Sequence, residues 1–213
     1  MSQTKFISIE GGEGAGKSTV MQFIQAHLKQ AGIKSVLTRE PGGTKLAEQI
    51  RNLLLHPDIN EKVEPETEVL LMFAARAQHL HQFILPKLAA GEWVISDRFV
   101  DASYAYQVGG RKLDIQFVAA LDHHVVGKVY PDLTLLLDID PEIGFERTVK
   151  RGNGKDRIEQ EKIDFFKRVR DMYLLRAKAN PARIKVIDAS RSVSEVEQQV
   201  AVALNQLITS AVS

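Results

Sequence analysis

Residues 11–18 read Gly-Gly-Glu-Gly-Ala-Gly-Lys-Ser, the spacing G-x-x-x-x-G-K-[ST], and follow directly on the short apolar run Phe6-Ile7-Ser8-Ile9-Glu10. Such an octapeptide binds polyphosphate. Its glycines leave backbone N–H groups free to turn inward around an anion, Lys17 adds a point charge at the outer phosphates, and the Ser18 hydroxyl can ligate Mg²⁺. Thr19 opens a stretch, 19–31, with Val20, Ile24, Leu28 and Ala31 on one stripe. That is a helix whose positive N-terminal dipole points at the same anion. Gly11, Gly12, Glu13, Gly14, Ala15, Gly16, Lys17, Ser18 and Thr19 are therefore the candidate nucleoside triphosphate site. A dinucleotide fingerprint needs G-x-G-x-x-G; here the glycines fall at 11, 12, 14 and 16 and run into Lys17-Ser18, which excludes it.

Five further groupings carry chemistry. Trp93-Val94-Ile95-Ser96 runs into Asp97-Arg98: an acid at a strand end can hold a Mg²⁺-bound water, and a guanidinium beside it can grip a phosphate through two parallel bonds. Thr38-Arg39-Glu40-Pro41-Gly42-Gly43-Thr44 is a turn leading to a helical stripe of Leu46, Ile50, Leu53 and Leu54, with Arg51 beside it. On the long amphipathic stretch 66–91, Phe73 and Arg76 share a face, so an aromatic and a guanidinium can together meet a nucleobase; the same spacing also serves plain core. Ser103, Tyr104, Tyr106 and Gln107 follow, able to line a pocket or its rim. Finally, 147–157 is basic and punctuated by Gly152 and Gly154, as a closing flap or a solvated loop would be.

These residues need a scaffold. Short β-rich runs at 6–9, 35–38, 93–97, 133–138 and 184–188 alternate with helical patterns, which predicts an α/β/α arrangement around a five-stranded parallel sheet. In such a sheet, ligands lie beyond the carboxyl ends of the strands, where all these motifs fall. Asp140-Pro141 and Ser192-x-x-Glu195 mark two helix starts, and Pro86 kinks or interrupts the helix at 66–91 near its end. A chain of 213 residues makes one domain, 1–213, with a short lid at about 147–160. Its 28 basic and 27 acidic residues give a formal charge of +1, no field to hold a polynucleotide. There is no cysteine, hence no disulfide or thiolate chemistry, and no apolar run approaches the ~20 residues that cross a bilayer. The expectation is a soluble, unprocessed, cytoplasmic enzyme without a membrane partner.

Taken in series, Glu10 to Ser18, Arg-Glu-Pro-Gly-Gly-Thr at 39–44, Asp97-Arg98 and Asp156-Arg157-Ile158-Glu159 closely resemble the bacterial thymidylate kinase family over nearly the whole chain. The resemblance implies a phosphate-loop nucleoside-monophosphate-kinase fold with a lid, and ATP- and Mg²⁺-dependent phosphorylation of dTMP to dTDP on the way to DNA precursors. It implies a homodimer formed through helices, for which 66–91 and 114–126 offer apolar stripes. It places Glu13 near the sugar 3′-hydroxyl and the acceptor phosphate, and Glu40 on the acceptor side, joined to Pro41 by a cis peptide. Arg51 and Arg98 become clamps on the acceptor phosphate, Phe73 the stacking surface for thymine, Arg76 the contact to its carbonyl edge, and Ser103 and Gln107 further base contacts. Tyr106 takes the place of a ring that crowds the sugar 2′ position. Ser18 and Asp97 serve the metal. A phosphate loop without arginine resembles the type that draws its catalytic cation from the lid, so Lys17, Arg98, Arg151 and Arg157 are the candidate catalytic groups. Two rivals stand against this reading. One is a kinase for another nucleotide; the other is a nucleotide-gated switch, which lacks support because no Asn-Lys-x-Asp element is present.

Overall fold

The five β-rich runs become strands β1 (Phe6–Gly11), β2 (Ser35–Arg39), β3 (Trp93–Asp97), β4 (Leu133–Asp138) and β5 (Ile184–Asp188) in a computed structural model that describes residues 3–55, 62–149 and 157–212. All neighbouring pairs are parallel, in the order β2-β3-β1-β4-β5. β1 is buried at every position, as a central strand covered on both faces must be, and it buries Ser8 and Glu10 along with Phe6, Ile7 and Ile9.

Helices cover both faces. On one, α1 (Lys17–Gln30) and α9 (Val193–Val212) pack Ile24, Leu28, Val200 and Leu204 against Ile7, Ile9 and Leu135. On the other, α3 (Pro65–His79) and α6 (Ile115–Val125) pack Val69, Phe73 and Val118 against Phe6, Val94 and Phe99. The remaining helices are α2 (Lys45–Leu55), α4 (Leu85–Ala89), α5 (Val100–Ser103), α7 (Pro141–Val149) and α8 (Ile163–Ala179). The three-layer expectation holds.

Local signals explain the boundaries. Asp140 accepts from the Glu142 amide at 2.8 Å, Asp114 from the Gln116 amide at 2.9 Å, and Glu195 reaches back to the Ser192 amide at 3.0 Å. Pro86 does not end the helix at 66–91; the chain widens into a π turn, Leu80–Ile84, whose Leu85 amide reaches five residues back to Leu80, and then continues as α4. A wider turn relieves the pressure of the proline ring on the preceding carbonyls. A second π segment, Tyr104–Gly110, continues α5 and turns Tyr106 and Gln107 inward.

Candidate functional site

β1 delivers the phosphate loop at its carboxyl end, flanked by β3 with Asp97-Arg98 and by β4. The loop needs glycine where its neighbours come closest. At Gly14, with φ +70°, a Cβ would lie 2.1 Å from the Gly144 carbonyl oxygen of α7, and at Gly144 a Cβ would lie 2.3 Å from the Glu13 carbonyl. Loop and helix thus meet backbone to backbone through two glycines, and the α7 partner carries no signal a phosphate-loop motif would flag. Gly144→Ala is expected to displace residues 13–14 and raise the KM for ATP by about 10-fold or more, because neither backbone can yield without moving the loop. Steady-state kinetics at varied ATP checks this, and an unchanged KM would refute it.

Lys17 bends over the loop, its Nζ 3.1 Å from the Gly12 carbonyl, and α1 starts behind it with Ser18 and Thr19 exposed at the helix N-terminus. Loss of solvation, reinforced by repulsion from Arg98, holds the Lys17 amine below the ordinary lysine range. Arg98 is the hub. Its backbone takes φ +68°, a left-handed conformation uncommon for a non-glycine residue. From there its guanidinium donates to the Gly11 carbonyl at 3.0 Å, to Tyr173 Oη at 3.2 Å and to Glu13 Oε1 at 2.7 Å, with the Tyr106 ring 4.7 Å away. Burial alone would raise Glu13, but Lys17 and Arg98 outweigh it and hold the carboxyl below the usual range. Beside Arg98, Asp97 Oδ1 is buried with no hydrogen-bond partner.

Beneath this hub lies Glu10, fully buried, accepting from the Phe99 amide and from Tyr173 Oη, each at 2.7 Å. Burial, helped by the charge of Asp101, pushes its carboxyl up from 4.5 to about 8. The folded protein therefore holds a proton that the unfolded chain releases, so this group's contribution to stability is full below pH 4.5 and is lost as pH rises through 8. The slope within that window is at most ~1.4 kcal/mol per pH unit. Denaturant midpoints from pH 5 to 9 should fall less steeply for Glu10→Gln than for the unaltered protein.

These groups face a cavity of about 950 Å³, open mouth included, whose walls join Glu13, Lys17, Asp97 and Arg98 to Glu40, Arg51, Arg76, Ser103, Tyr106 and Gln107. The site expected from sequence is thus largely brought together. Arg76 is held at all three guanidinium nitrogens: Nε donates to Glu40 Oε2 at 2.7 Å, Nη1 to Ser103 Oγ at 2.9 Å and Nη2 to the Phe99 carbonyl at 3.1 Å. Arg51 Nη1 donates to the Pro41 carbonyl at 2.8 Å, and the Glu40–Pro41 peptide is cis, as the resemblance implied. Gln107 donates to Glu68 at 3.0 Å.

Two placements differ from expectation. Phe73 does not reach the cavity wall: it is 2% exposed, belongs to the core stripe with Val69 and Leu80, and lies 4.7 Å beneath the Arg76 guanidinium. Met72, turned about 100° around the helix, lines the cavity in its stead. Both stand one turn before Arg76, at i−4 and i−3, and the apolar stripe that already contained Phe73 was the signal for its burial. Arg157 is likewise turned away from the phosphate loop. Its Nε donates to the Leu54 carbonyl at 2.8 Å and its Nη2 to Glu68, a carboxylate also gripped by Arg111. Arg151, the other lid candidate, lies outside the described residues.

Comparison with known proteins agrees with this geometry. The family model for thymidylate kinase matches residues 9–200. The thymidylate kinase of Vesicomyosocius okutanii is 53% identical over 207 residues, covering 97% of this chain and 100% of that protein. That of Pseudomonas savastanoi pv. phaseolicola is 52% identical over 203 residues, covering 95% and 96%. Among solved structures, thymidylate kinase from Ehrlichia chaffeensis matches with a TM-score of 0.75 at 33% identity, covering 95% of this chain and 98% of that one. A phosphate loop facing an arginine-walled cavity at one end of a parallel sheet, and a likeness that runs through nearly every element carrying them, lead to one conclusion: the chain belongs to the thymidylate kinase family.

Proposed function

We propose that the cavity holds donor and acceptor of a phosphoryl transfer end to end, ATP on the phosphate loop and dTMP in the space walled by Arg51, Met72, Arg76, Ser103, Tyr106 and Gln107. Family membership gives the reaction, phosphorylation of dTMP to dTDP with ATP as the donor. The observation that supports this placement is the convergence of Lys17, Arg51, Arg76 and Arg98 on one cavity that the phosphate loop itself closes.

The acceptor is a phosphate oxygen, ionised near neutral pH, so no side chain has to take a hydroxyl proton. The need is to hold two anions in line against their repulsion and to stabilise charge in transfer. In this reading Lys17 meets the donor's outer phosphates, and Arg98 and Arg51 clamp the acceptor phosphate beside Glu13. Arg76 meets the carbonyl edge of the base over Met72, Ser103 and Gln107 border it, and the Tyr106 ring crowds the sugar 2′ position. Arg151 supplies the lid cation. Mg²⁺ fits the donor set: the Ser18 hydroxyl stands exposed at the start of α1, and the orphaned Asp97 Oδ1 would hold a metal-bound water. When bound, the ion would neutralise charge on the donor phosphates during transfer.

A coupled assay of ADP formation with ATP, Mg²⁺ and a panel of nucleoside monophosphates tests the reading. Acceleration by dTMP above all others is expected; a different preferred acceptor, or hydrolysis independent of acceptor, would overturn it. The assembly we infer is a homodimer. Its support is the neighbouring set of exposed apolar side chains on α2, α3 and α6, namely Leu46, Leu53, Leu70, Ile115 and Phe117. Sedimentation should give twice the chain mass, and Leu70→Glu should shift it toward the monomer. Among the described residues no helix is long and apolar enough to cross a membrane; the cysteine-free composition suits the cytoplasm, where we place the enzyme.

A further inference from the structure

Behind the base-facing wall lies a buried polar chain that leads to Arg76 and whose other members make none of the proposed contacts to nucleotide. His79, the last residue of α3, is 0% exposed. Its Nδ1 lies 3.0 Å from Glu40 Oε1, and its Nε2 lies 2.6 Å from Thr38 Oγ1 at the end of β2. The other oxygen of Glu40 accepts from Arg76 Nε at 2.7 Å. Thr38, His79, Glu40 and Arg76 thus form one line, all buried, that begins in the sheet and ends at the cavity.

For a neutral ring, hydrogen-bond accounting sets the direction of this line. The Glu40 carboxylate can only accept, so Nδ1 of His79 must donate to it. In the neutral ring Nε2 is then an acceptor, and the one hydroxyl beside it, that of Thr38, donates. Glu40 and Arg76 balance each other's charge, so a neutral imidazole leaves the buried cluster neutral overall.

The loop that follows Glu40 is pressed onto the same pair. A Cβ at Gly43, with φ +84°, would lie 2.4 Å from His79 Cδ2 and Nε2 and 2.6 Å from Thr38 Oγ1. Backbone therefore covers the imidazole on this side, and the Phe83 ring stacks on it at 5.7 Å. The ring is thus hydrogen-bonded at both nitrogens and flanked by Gly43 and Phe83. Glu40 is consequently held at one oxygen by a fixed donor, which leaves its second oxygen at a fixed position for Arg76.

We propose that His79, locked by Thr38, is the positioning residue that aims Arg76 at the acceptor base. This inference rests on the reading that Arg76 meets the carbonyl edge of thymine. Arg76 is held at Nε by Glu40, and its terminal nitrogens spend hydrogens on Ser103 and Phe99, so the plane of the fork follows the carboxylate. A loosened carboxylate lets that plane tilt. The loss falls on acceptor binding and on discrimination between a 4-carbonyl and a 4-amino pyrimidine, and it spares the transfer step at Lys17 and Arg98.

The test compares two substitutions that each keep one half of the imidazole. In His79→Asn the amide nitrogen stands near Nδ1 and still donates to Glu40; in His79→Gln the amide reaches toward Thr38 and Glu40 loses its donor. His79→Gln is expected to raise the KM for dTMP about 10-fold, the effect of one lost hydrogen bond to a charged group, with kcat little changed. The ratio of kcat/KM for dTMP to that for dCMP should fall with it. His79→Asn should restore both, and Thr38→Val, which frees the ring without removing it, should fall between. Arg76→Met is the control for the underlying reading. If Arg76→Met raises the KM for dTMP while His79→Gln and Thr38→Val leave KM and the base ratio unchanged, the positioning role is wrong and the base site stands. If Arg76→Met changes nothing, the base site itself is wrong and the positioning role goes with it. Equal damage in the Asn and Gln variants, tracking their loss of thermal stability, would reduce His79 to packing.

Discussion

Arg98→Ala is expected to lower kcat/KM for dTMP on the order of 10³-fold, the scale on which a guanidinium that meets transferring phosphoryl charge acts. Three bonds hold this side chain, to Gly11, Tyr173 and Glu13, so its position is set before any nucleotide arrives. Removing it has a second effect. Glu13 keeps only Lys17 as a charged neighbour of that strength, so the lysine is drawn toward the carboxylate and away from the donor phosphates. The KM for ATP should rise together with that for dTMP. Lysine cannot replace the fork, since one ammonium does not make two parallel bonds; Arg98→Lys should recover a small part of the loss. Because φ at this position is +68°, Arg98→Gly relaxes the backbone while removing the same charge. Alanine and glycine variants should therefore lose activity alike while differing in thermal midpoint. Activity within tenfold of the unaltered enzyme would exclude the clamp.

Most of the architecture could be read in the sequence because local and global requirements coincide there. The runs at β1 and β4 are rich in Phe, Ile and Leu and buried at nearly every position, as the inner strands of a covered parallel sheet are, and Asp140-Pro141 and Ser192-x-x-Glu195 carry their helix starts within four residues. Site residues that sit in such punctuation, namely the phosphate loop, Asp97-Arg98 and the turn before α2, were legible for the same reason. Residues whose role depends on which way one face of a helix turns were not. Phe73 and Met72 both stand one turn before Arg76, and only the packing of α3 on the sheet decides that the ring goes inward and the thioether meets the cavity. Gly144 and His79 gave no signal because their partners, Glu13 and Glu40, lie 131 and 39 residues away in the chain. Their requirement arises from backbone approach and from a buried hydrogen-bond line, features of the tertiary structure alone.

The second large effect concerns the lid. Arg151→Ala is expected to reduce kcat on the order of 10³-fold, while Arg157→Ala reduces it less than about tenfold. In the sequence the two are equivalent; the surroundings of Arg157 separate them. Its guanidinium is committed to Glu68, a carboxylate 1% exposed in its side chain, and its backbone and Nε both bond to the end of α2. A cation spent on a buried carboxylate is a tether, and moving it to the transferring phosphoryl would leave that carboxylate with one donor fewer in a site closed to water. Glu68 is held below the ordinary carboxylate range against its burial by Arg111, Arg157 and Gln107, so it stays ionised near neutral pH and keeps its claim on Arg157. Arg157→Ala should accordingly show its main effect as a lower thermal midpoint and a modest rise in the KM for dTMP through Gln107. Single-turnover rates for the two single variants and the double variant decide the matter. If the double variant transfers at a near-normal rate, neither lid arginine meets the transition state; if Arg157→Ala alone brings the 10³-fold loss, the tether opens during turnover and the assignment is reversed.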